Sequence, residues 1–410
     1  MRNAKTMNIL LLTNTMKQPD DEFKAKTDVV FSFARAWSAA GHNVVVIHNE
    51  VKFPLFFYKL PSFVYSILQK KGNVSIPSVK SRQRLKRTQD GVRINRIPMF
   101  KLIPHSRYYR FQYKKQLQLI KDFLQEIHFV PEIITGHWLE PQLYLVHELG
   151  AFFHAKTGFV FHGGIPKKLP SRQREMIHQL DCLFLRSQTI KQQIVDNDAC
   201  KSFLPDRVRI CFSGIPDHYL DNLHERDDWR KDGVFKIIYV GRLVRYKRVD
   251  SILKALASLS DKMPFHFDIV GEGTDKSLLR SMAEQLNILS EVTFHGMLER
   301  DVVQKMMRES ECFVMISENE VFGLVYLEAM AAGCITVASE KGGMDGIIAN
   351  NENGFLCEQA NSDSLAKLLL HINGLSPDEI KRLRQNAYKT VQDYSDRKVA
   401  ARYLDDIASN

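Results

Sequence analysis

Short apolar runs that alternate with segments of helical character constrain the fold of this 410-residue chain more than any other feature. Near-continuous apolar strands separated by helices are typical of parallel sheets covered on both faces. In one intervening segment, Val249, Ile252, Leu253 and Leu256 recur at helical spacing. The pattern therefore predicts an α/β fold. The predicted strands are 7–13, 43–48, 132–136, 158–162, 182–187, 208–212, 235–241, 265–271, 292–296, 312–316 and 334–339.

The chain is too long for one ordinary hydrophobic core, which favours two domains. The polar segment 221–233 interrupts the apolar pattern and is the best linker. We predict an N-terminal domain at 1–218, a C-terminal domain at 219–392, and a final helix at 393–410 that packs back on the N-terminal domain. Each domain would have a Rossmann-like parallel sheet, and the two sheets would face a central cleft. Ligands are expected in this cleft, because they bind at the carboxyl ends of strands in open α/β sheets.

Composition narrows the cellular setting. No run of 18 apolar residues is present, so no transmembrane helix is expected. The early apolar stretch 7–13 is too short for a signal peptide and is interpreted as a strand. The six cysteines show neither CxxC pairs nor zinc spacing, which favours a reduced, cytoplasmic protein.

Positive charge is concentrated in one part of the chain. Residues 70–121 contain fifteen Lys and Arg and one acid, Asp90, so this segment has a net charge of +14. The whole chain has a net charge of +10, so the remaining residues sum to −4. An aromatic stretch that includes Phe56, Phe57, Phe63 and Tyr65 precedes it. Aromatic residues beside a basic cluster fit a surface that rests on anionic lipid. A core helix followed by a solvated basic loop is an equally good interpretation.

Two cations follow the strand predicted at 235–241. Gly241 permits a close turn, and Arg242 and Lys247 lie on the loop before the next helix. Two positive charges at a strand end suit a diphosphate. A solvated basic helix start explains the same spacing and carries about equal weight.

A second cluster spans residues 317–333, SENEVFGLVYLEAMAAG. Glu320 ends a loop, Phe322, Gly323 and Leu324 open a helix, and Glu328 lies within it. A helix N-terminus favours phosphate, and carboxylates can accept hydrogen bonds from vicinal sugar hydroxyls. A surface position for Glu328 is disfavoured because its helical neighbours are mostly apolar, so its carboxylate should have a partner.

These two clusters resemble the signature of glycosyltransferase family 4, a group of retaining enzymes with the two-domain GT-B fold. Glu320 and Glu328 match its Glu-x7-Glu motif, and Arg242 and Lys247 match its GRL element with a basic residue five positions later. VGEG at 270–273, VTFHG at 292–296, NGFL at 353–356 and SGIPDHYL at 213–220 agree in order and spacing. Each motif alone is weak, but together they are specific for the C-terminal half.

The resemblance implies roles for these residues. Arg242 and Lys247 would contact the donor diphosphate, and Glu320 would hold hydroxyls of the transferred sugar. Backbone N–H groups at Phe322, Gly323 and Leu324 would support sugar and phosphate. Glu328 would bind the ribose, and His295 and Gly296 would lie near the base.

The N-terminal half matches more loosely and would face the acceptor. GHWLEP at 136–141 places a strand-end histidine, His137, near the reacting sugar, and GFVFHGG at 158–164 places a second, His162, against sugar or acceptor. The loop 16–28 lacks the family's glycine pair, which would fall near Lys24 and Ala25. Phosphate contact is therefore not assigned to this loop.

The resemblance implies retaining transfer from a nucleotide-diphosphate sugar to a lipid-linked or polysaccharide acceptor, in cell-surface polysaccharide biosynthesis. No cofactor and no metal are expected, because protein cations would stabilise the leaving group. The Asp196-Asn197-Asp198 triplet is interpreted as a solvated turn. The alternatives are a GT-B sugar-nucleotide epimerase, a glycogen-synthase-like enzyme and, ranked lowest, a nucleic-acid-binding protein. Residues 51–121 would contact an anionic membrane if the enzyme is peripheral on its inner face.

Overall fold

The computed structural model describes residues 5–16, 29–60, 64, 82–104, 106–163, 165–166, 169–221, 229 and 232–409. Most of the loop 16–28, most of the predicted linker, and Phe63 and Tyr65 lie outside these residues. The chain forms two compact units. Unit 1 comprises Met1–Arg186, Ile190–Cys211 and Asp396–Asn410, and unit 2 comprises Ser187–Thr189 and Phe212–Ser395. Apart from the short segment Ser187–Thr189, the chain passes from unit 1 to unit 2 after Cys211 and returns after Ser395; the sequence predicted these boundaries at 218 and 392.

Unit 1 is built on an eight-stranded sheet in the order β10-β9-β8-β7-β1-β2-β5-β4. All neighbouring strands are parallel except the antiparallel pair β4 and β5. A separate two-stranded parallel ribbon pairs β3 with β6. The strands are β1 (Asn8–Thr13), β2 (Asn43–His48), β3 (Val51–Lys52), β4 (Leu85–Gln89), β5 (Val92–Arg96), β6 (Met99–Phe100), β7 (Ile133–His137), β8 (Lys156–Val160), β9 (Cys182–Leu185) and β10 (Val208–Ile210).

Helices cover this sheet, and all of them except the four-residue α6 bury apolar side chains. They are α1 (Val29–Ala39), α2 (Arg110–Glu126), α3 (Leu139–Phe153), α4 (Ser171–His178), α5 (Gln188–Val195), α6 (Asp198–Lys201) and the C-terminal α13 (Asp396–Ala408). Helix α13 packs on α1 of unit 1, where the Trp37 indole Nε1 donates to the Ala400 carbonyl over 2.8 Å and Arg35 pairs with Asp396 at 3.1 Å. The last helix is therefore part of the N-terminal unit.

Unit 2 is built on a six-stranded, fully parallel sheet in the order β13-β12-β11-β14-β15-β16. Its strands are β11 (Phe235–Val240), β12 (Phe265–Val270), β13 (Val292–Gly296), β14 (Cys312–Met315), β15 (Ile335–Ser339) and β16 (Phe355–Cys357). Its helices are α7 (Val249–Ala257), α8 (Lys276–Gln285), α9 (Arg300–Glu309), α10 (Leu324–Ala331), α11 (Ser362–Asn373) and α12 (Pro377–Gln392).

Each sheet has a point where the strand order reverses. In unit 2 the chain starts at β11, moves outward through β12 and β13, and returns to β14 on the other side of β11. In unit 1 the corresponding reversal lies between β1 and β7. Such points open a crevice beyond the carboxyl ends of the strands, where ligands bind in open α/β sheets.

The predicted α/β fold with two parallel-sheet domains is confirmed. The strands β3 to β6 and β16 were not predicted from the sequence. Strand β4 was missed because its residues, LKRTQ, include charged side chains that hide the apolar periodicity, although they are alternately half-buried and exposed. Among the described residues no helix is both long and apolar enough to cross a membrane.

Candidate active site

Glycines hold the carboxyl ends of β11, β12 and β13 close together. Gly241 N donates to Val270 O over 3.0 Å, and Gly271 N donates to Gly296 O over 2.7 Å. A Cβ on Gly271, whose φ is +141°, would lie 1.9 Å from Gly241 O. A larger residue at 271 would therefore push apart the ends of β11 and β12 and displace the loop that carries Arg242.

Arg242 is exposed at the end of β11, beside the switch point. The Tyr239 hydroxyl donates to the Arg242 carbonyl over 2.9 Å, and the Arg242 Nη2 donates to the Tyr246 hydroxyl over 2.5 Å. The following turn, Arg245–Lys247, brings Lys247 back towards the sheet. The guanidinium is thus oriented by an aromatic neighbour and keeps donors for an anion.

Lys247 and Glu320 form an ion pair across the switch point, between the loops that follow β11 and β14. Their side chains are only 12% and 14% exposed. The Lys247 ammonium also lies 3.6 Å from the Met315 sulfur. An ammonium has three N–H donors, so Lys247 can hold Glu320 and an incoming anion together.

The turn before α10 requires glycine twice. Gly323 has φ +76°, and a Cβ there would lie 2.5 Å from the Tyr326 ring. A Cβ on Gly343 would lie 2.4 Å from Phe322 Cα, so the loop after β15 packs directly on this turn. Helix α10 begins at Leu324, and the first N–H groups of a helix carry partial positive charge and no intrahelical partner. The three predicted residues Phe322, Gly323 and Leu324 therefore form a tight helix start after Glu320.

Glu328 lies on α10 with 13% of its side chain exposed, and Arg300 Nη2 is 3.3 Å from its Oε1. The expected partner of this carboxylate is thus an arginine on α9. The sequence did not indicate Arg300, because nothing in the spacing of 28 residues relates it to Glu328. Arg300 is 62% exposed, so the pair stays open to solvent and to ligand hydroxyls.

His295 lies at the end of β13, where its Nε2 is 2.6 Å from Asp268 Oδ1 on β12. Gly296 has φ +72°, and a Cβ there would lie 2.9 Å from Glu272 Oε1. These two residues and Arg242 lie at the same edge of the sheet, because β12 pairs with both β13 and β11. The structure therefore gathers all of the predicted donor-site residues at the carboxyl edge of one sheet.

The two predicted histidines of unit 1 are in contact. His137, which ends β7 at the switch point, has Nδ1 2.9 Å from His162 Nε2 and Nε2 3.4 Å from the Tyr403 hydroxyl on α13. His137 has no exposed surface, whereas His162 is half-buried and stacks on Trp138 at 4.1 Å between ring centres. Of the two imidazoles, only that of His162 is accessible to a ligand in this arrangement.

Burial, together with repulsion from the nearby Arg186 guanidinium, lowers the pKa of His137 to about 3. Burial likewise lowers the pKa of His162, with added repulsion from His137 and Arg186. Removing a charged imidazole from water is costly, so both rings are neutral at pH 7. The pair can relay hydrogen bonds but carries no positive charge.

In the part of the chain that the structure describes, no group of three His, Cys, Asp or Glu could hold a metal ion. The Asp196-Asn197-Asp198 triplet is a helix start, since the Asn197 side chain caps α6 and Asp198 pairs with Lys201 at 3.0 Å. All three residues are exposed, with Asp196 in the turn before α6 and Asp198 in the helix itself.

Comparison with known proteins identifies the C-terminal half. The family model described as "Glycosyl transferases group 1" matches residues 222–390. An uncharacterized glycosyltransferase, MJ1607, of Methanocaldococcus jannaschii is 31% identical over 169 residues, which cover 39% of this chain and 43% of that protein. The first curated relatives are matched over 43–46% of their own length.

Other matches extend across both units. Alpha-monoglucosyldiacylglycerol synthase of Streptococcus pneumoniae is 23% identical over 359 residues, covering 84% of this chain and 81% of that protein. The crystal structure of Anabaena Alr3699/HepE in complex with UDP superposes with a TM-score of 0.69 at 14% identity, covering 98% of this chain and all of that one. At this identity the superposition establishes a shared fold.

Proposed function

We propose that this chain, which has the GT-B fold and matches the glycosyl transferases group 1 family over residues 222–390, moves a sugar from a nucleotide-diphosphate sugar to a lipid-linked or polysaccharide acceptor, with retention of anomeric configuration. The observation that carries this proposal is the ion pair of Lys247 and Glu320 beside Arg242 at the switch point of unit 2. It puts cations suited to a diphosphate next to a carboxylate suited to sugar hydroxyls.

The donor would be bound in parts. Arg242 and Lys247 bind the diphosphate, and the N-terminal N–H groups of α10 add partial positive charge. Glu320 accepts hydrogen bonds from hydroxyls of the transferred sugar, and Glu328 accepts from those of the ribose. The nucleotide base lies along the edge formed by His295 and Gly296. The complex of the Anabaena neighbour with UDP supports a uridine nucleotide as the first candidate.

Catalysis would be mainly electrostatic. As the bond between the sugar and the diphosphate breaks, negative charge grows on the leaving oxygen, and Arg242 and Lys247 stabilise it in a preorganised site. Lys247 remains bonded to Glu320, so leaving group and sugar keep a fixed relation. The acceptor hydroxyl attacks from the side that the diphosphate leaves, and its proton passes to a phosphate oxygen.

The histidines would position the reacting sugar. His162 presents the accessible imidazole, and His137 acts as a positioning residue behind it, because both of its nitrogens face neighbours in unit 1. Neutral rings suit this role, since a fixed positive charge would oppose positive charge that develops on the sugar.

An apolar face of unit 1 supports a lipid-linked acceptor and peripheral contact with a membrane. Its members are exposed by 40–67%: Leu55, Phe56, Phe100, Leu102, Ile103, Tyr109 and Phe111. They lie on three joined segments, since β3 pairs with β6 and Gln112 Nε2 donates to Phe100 O over 2.6 Å. Lysines lie among them, including Lys52, Lys59 and Lys101. The Streptococcus relative is named for a glucosyl diacylglycerol product, which agrees with such an acceptor.

Product stereochemistry tests this proposal. A panel of nucleotide sugars is first screened by thermal shift in the presence of EDTA, and the stabilising donor is then followed by NMR as its sugar is released or transferred. We expect an α-linked donor to give the α-anomer first, without added metal. Release of the β-anomer, or release that Lys247→Ala does not reduce, contradicts it.

A further inference from the structure

Unit 1 contains a cavity of about 260 Å³ lined by none of the residues assigned above. Three arginines and three tyrosines contribute to its wall: Arg107, Arg110, Arg172, Tyr108, Tyr113 and Tyr144. They come from the starts of α2 and α4 and from the first turns of α3, which the unit 1 fold brings together at one place. These segments are far apart in the sequence, so the cavity could not be predicted from the spacing of its residues along the chain.

The cavity is cationic. Arg107 and Arg110 are exposed, and within the described ranges no carboxylate lies at ion-pair distance from either. Arg172 lies 3.6 Å from Glu148, with its guanidinium 5.3 Å from the centre of the Tyr144 ring. Against these three cations the wall has one acid, Glu140. The side chains therefore leave an excess of positive charge for an anionic ligand.

Neutral polar groups surround Glu140. Gln173 Nε2 donates to Glu140 Oε1 over 3.2 Å, and Tyr108 and Tyr113 line the same cavity. Burial raises the pKa of Tyr108 and Tyr113, so both phenols keep their protons and can donate. A carboxylate has about four acceptor sites, so Glu140 can also accept from hydroxyls of a ligand.

We propose that this cavity binds a sugar phosphate of the acceptor, with the arginines on the phosphate and with Glu140 and the tyrosines on the sugar ring. The inference deepens the function proposed above, and rests on it, by naming an anionic acceptor. Guanidinium groups match phosphate oxygens through paired N–H donors. Aromatic rings with a few placed polar groups are typical of small-molecule sites.

The sugar phosphate can be soluble or be the head group of a lipid, and the surroundings of the cavity favour a lipid. Tyr109 and Phe111 alternate with Arg107 and Arg110 along the start of α2, are 64% and 67% exposed, and stack at 5.9 Å between ring centres. Both belong to the apolar face. A chain that rests on lipid through this face would have the cavity beside it.

The test compares two variants of equal charge. One carries Arg107→Gln, Arg110→Gln and Arg172→Gln in the cavity. The other carries Lys254→Gln, Lys262→Gln and Lys389→Gln, which are exposed lysines of unit 2, outside the basic segment and away from the cavity wall. Binding of glucose 1-phosphate is measured by calorimetry. Vesicle binding is measured with two preparations of phosphatidylcholine vesicles that carry the same surface charge. One contains phosphatidylinositol, whose head group is a cyclitol phosphate, and the other contains phosphatidylserine. UDP binding is measured for each protein.

We expect the cavity variant to lose at least about tenfold in affinity for its phosphate ligand, and the lysine variant to change little. Preference for phosphatidylinositol over phosphatidylserine supports a lipid source, and binding of glucose 1-phosphate alone supports a soluble one. Equal losses in both variants overturn the proposal. The proposal is also overturned if the native protein binds UDP, does not bind glucose 1-phosphate, and binds phosphatidylinositol vesicles no better than phosphatidylserine vesicles. Failure to bind any nucleotide contradicts the donor site instead, independently of the cavity.

Discussion

The Lys247 ammonium contacts the Glu320 carboxylate although the two residues are 73 positions apart in the chain. The contact exists because β11 and β14 are neighbours at the switch point of unit 2, and each strand ends beside the other. With about 12–14% of each side chain exposed, the pair is mostly withdrawn from water. Each charge therefore depends on the other.

The first prediction concerns the stability of this pair. Lys247→Ala leaves a partly buried carboxylate without its partner and should lower the free energy of unfolding by about 1–3 kcal/mol. Lys247→Ala combined with Glu320→Gln should recover part of the loss. Urea unfolding of the two single variants and the double variant measures the coupling, with Arg245→Ala in the same turn as an exposed control. Additive losses would show that the two side chains do not interact.

The second prediction separates the two glutamates. Glu320→Gln should strongly reduce transfer and leave the affinity for the free nucleoside diphosphate nearly unchanged, because the proposed partner of this carboxylate is the transferred sugar. Glu328→Gln should weaken the nucleoside diphosphate itself through the ribose. Titration calorimetry with the nucleoside diphosphate, alongside initial rates, distinguishes them. Equal loss of nucleotide affinity in both variants would contradict the two roles.

The residues of the candidate donor site were predicted from the sequence, whereas the side chains that contact them were not. Arg242, Lys247, Glu320 and Glu328 follow apolar strands or lie in a short apolar helix, so local pattern and family resemblance are enough to find them. The partner of Glu328, Arg300, lies on another helix, and only the fold brings it within 3.3 Å.

The same reason applies in unit 1. His137 and His162 were found one by one as strand-end residues, yet their mutual contact depends on the pairing of β7 with β8. The contact of His137 with Tyr403 depends on the docking of α13, more than 200 residues later in the chain. Side-chain contacts between distant segments are not encoded in local periodicity.

The third prediction follows from the lowered pKa of His137. In the unfolded chain the imidazole of His137 has its ordinary pKa near 6.5, whereas in the folded chain its pKa is about 3. Stability from this group is therefore complete above pH 6.5 and is lost as the pH falls towards 3, by up to about 1.4 kcal/mol per unit. His162 adds a loss in the same direction.

Urea unfolding between pH 7 and pH 4 measures this slope. Replacement His137→Gln should flatten it, whereas His128→Asn, which changes an exposed histidine of unit 1, should leave it as in the native protein. An unchanged slope in His137→Gln would show that His137 is not the group responsible.

The fourth prediction concerns the membrane. Vesicles that contain anionic lipid should bind the protein at low salt and release much of it at high salt, because attraction between basic side chains and lipid is screened. Neutralising Arg82, Arg84, Lys86 and Arg87 together should reduce binding. The effect of Lys86 should be small, since Glu126 already pairs with it at 2.6 Å. Nucleotide affinity should not change.

The apolar part of this contact has its own control. Phe56→Ser with Phe111→Ser should weaken vesicle binding at all salt concentrations, whereas Leu278→Ser with Leu370→Ser changes exposed apolar residues of unit 2 and should not. A competition with nucleic acid completes the test. If the neutralised variant loses nucleic-acid binding and keeps vesicle binding, the basic segment serves nucleic acid instead.

Calorimetric titration of UDP, ADP and GDP tests the central claim most directly, that the switch point of unit 2 binds a nucleotide diphosphate through Arg242 and Lys247. The native protein should bind at least one of them in the presence of EDTA. Arg242→Ala should weaken that binding by about 1.5–3 kcal/mol while the fold is intact, and Arg245→Ala, an exposed arginine in the neighbouring turn, should leave it unchanged. Native affinity in Arg242→Ala and in Lys247→Ala, or the same loss in Arg245→Ala, would contradict this account.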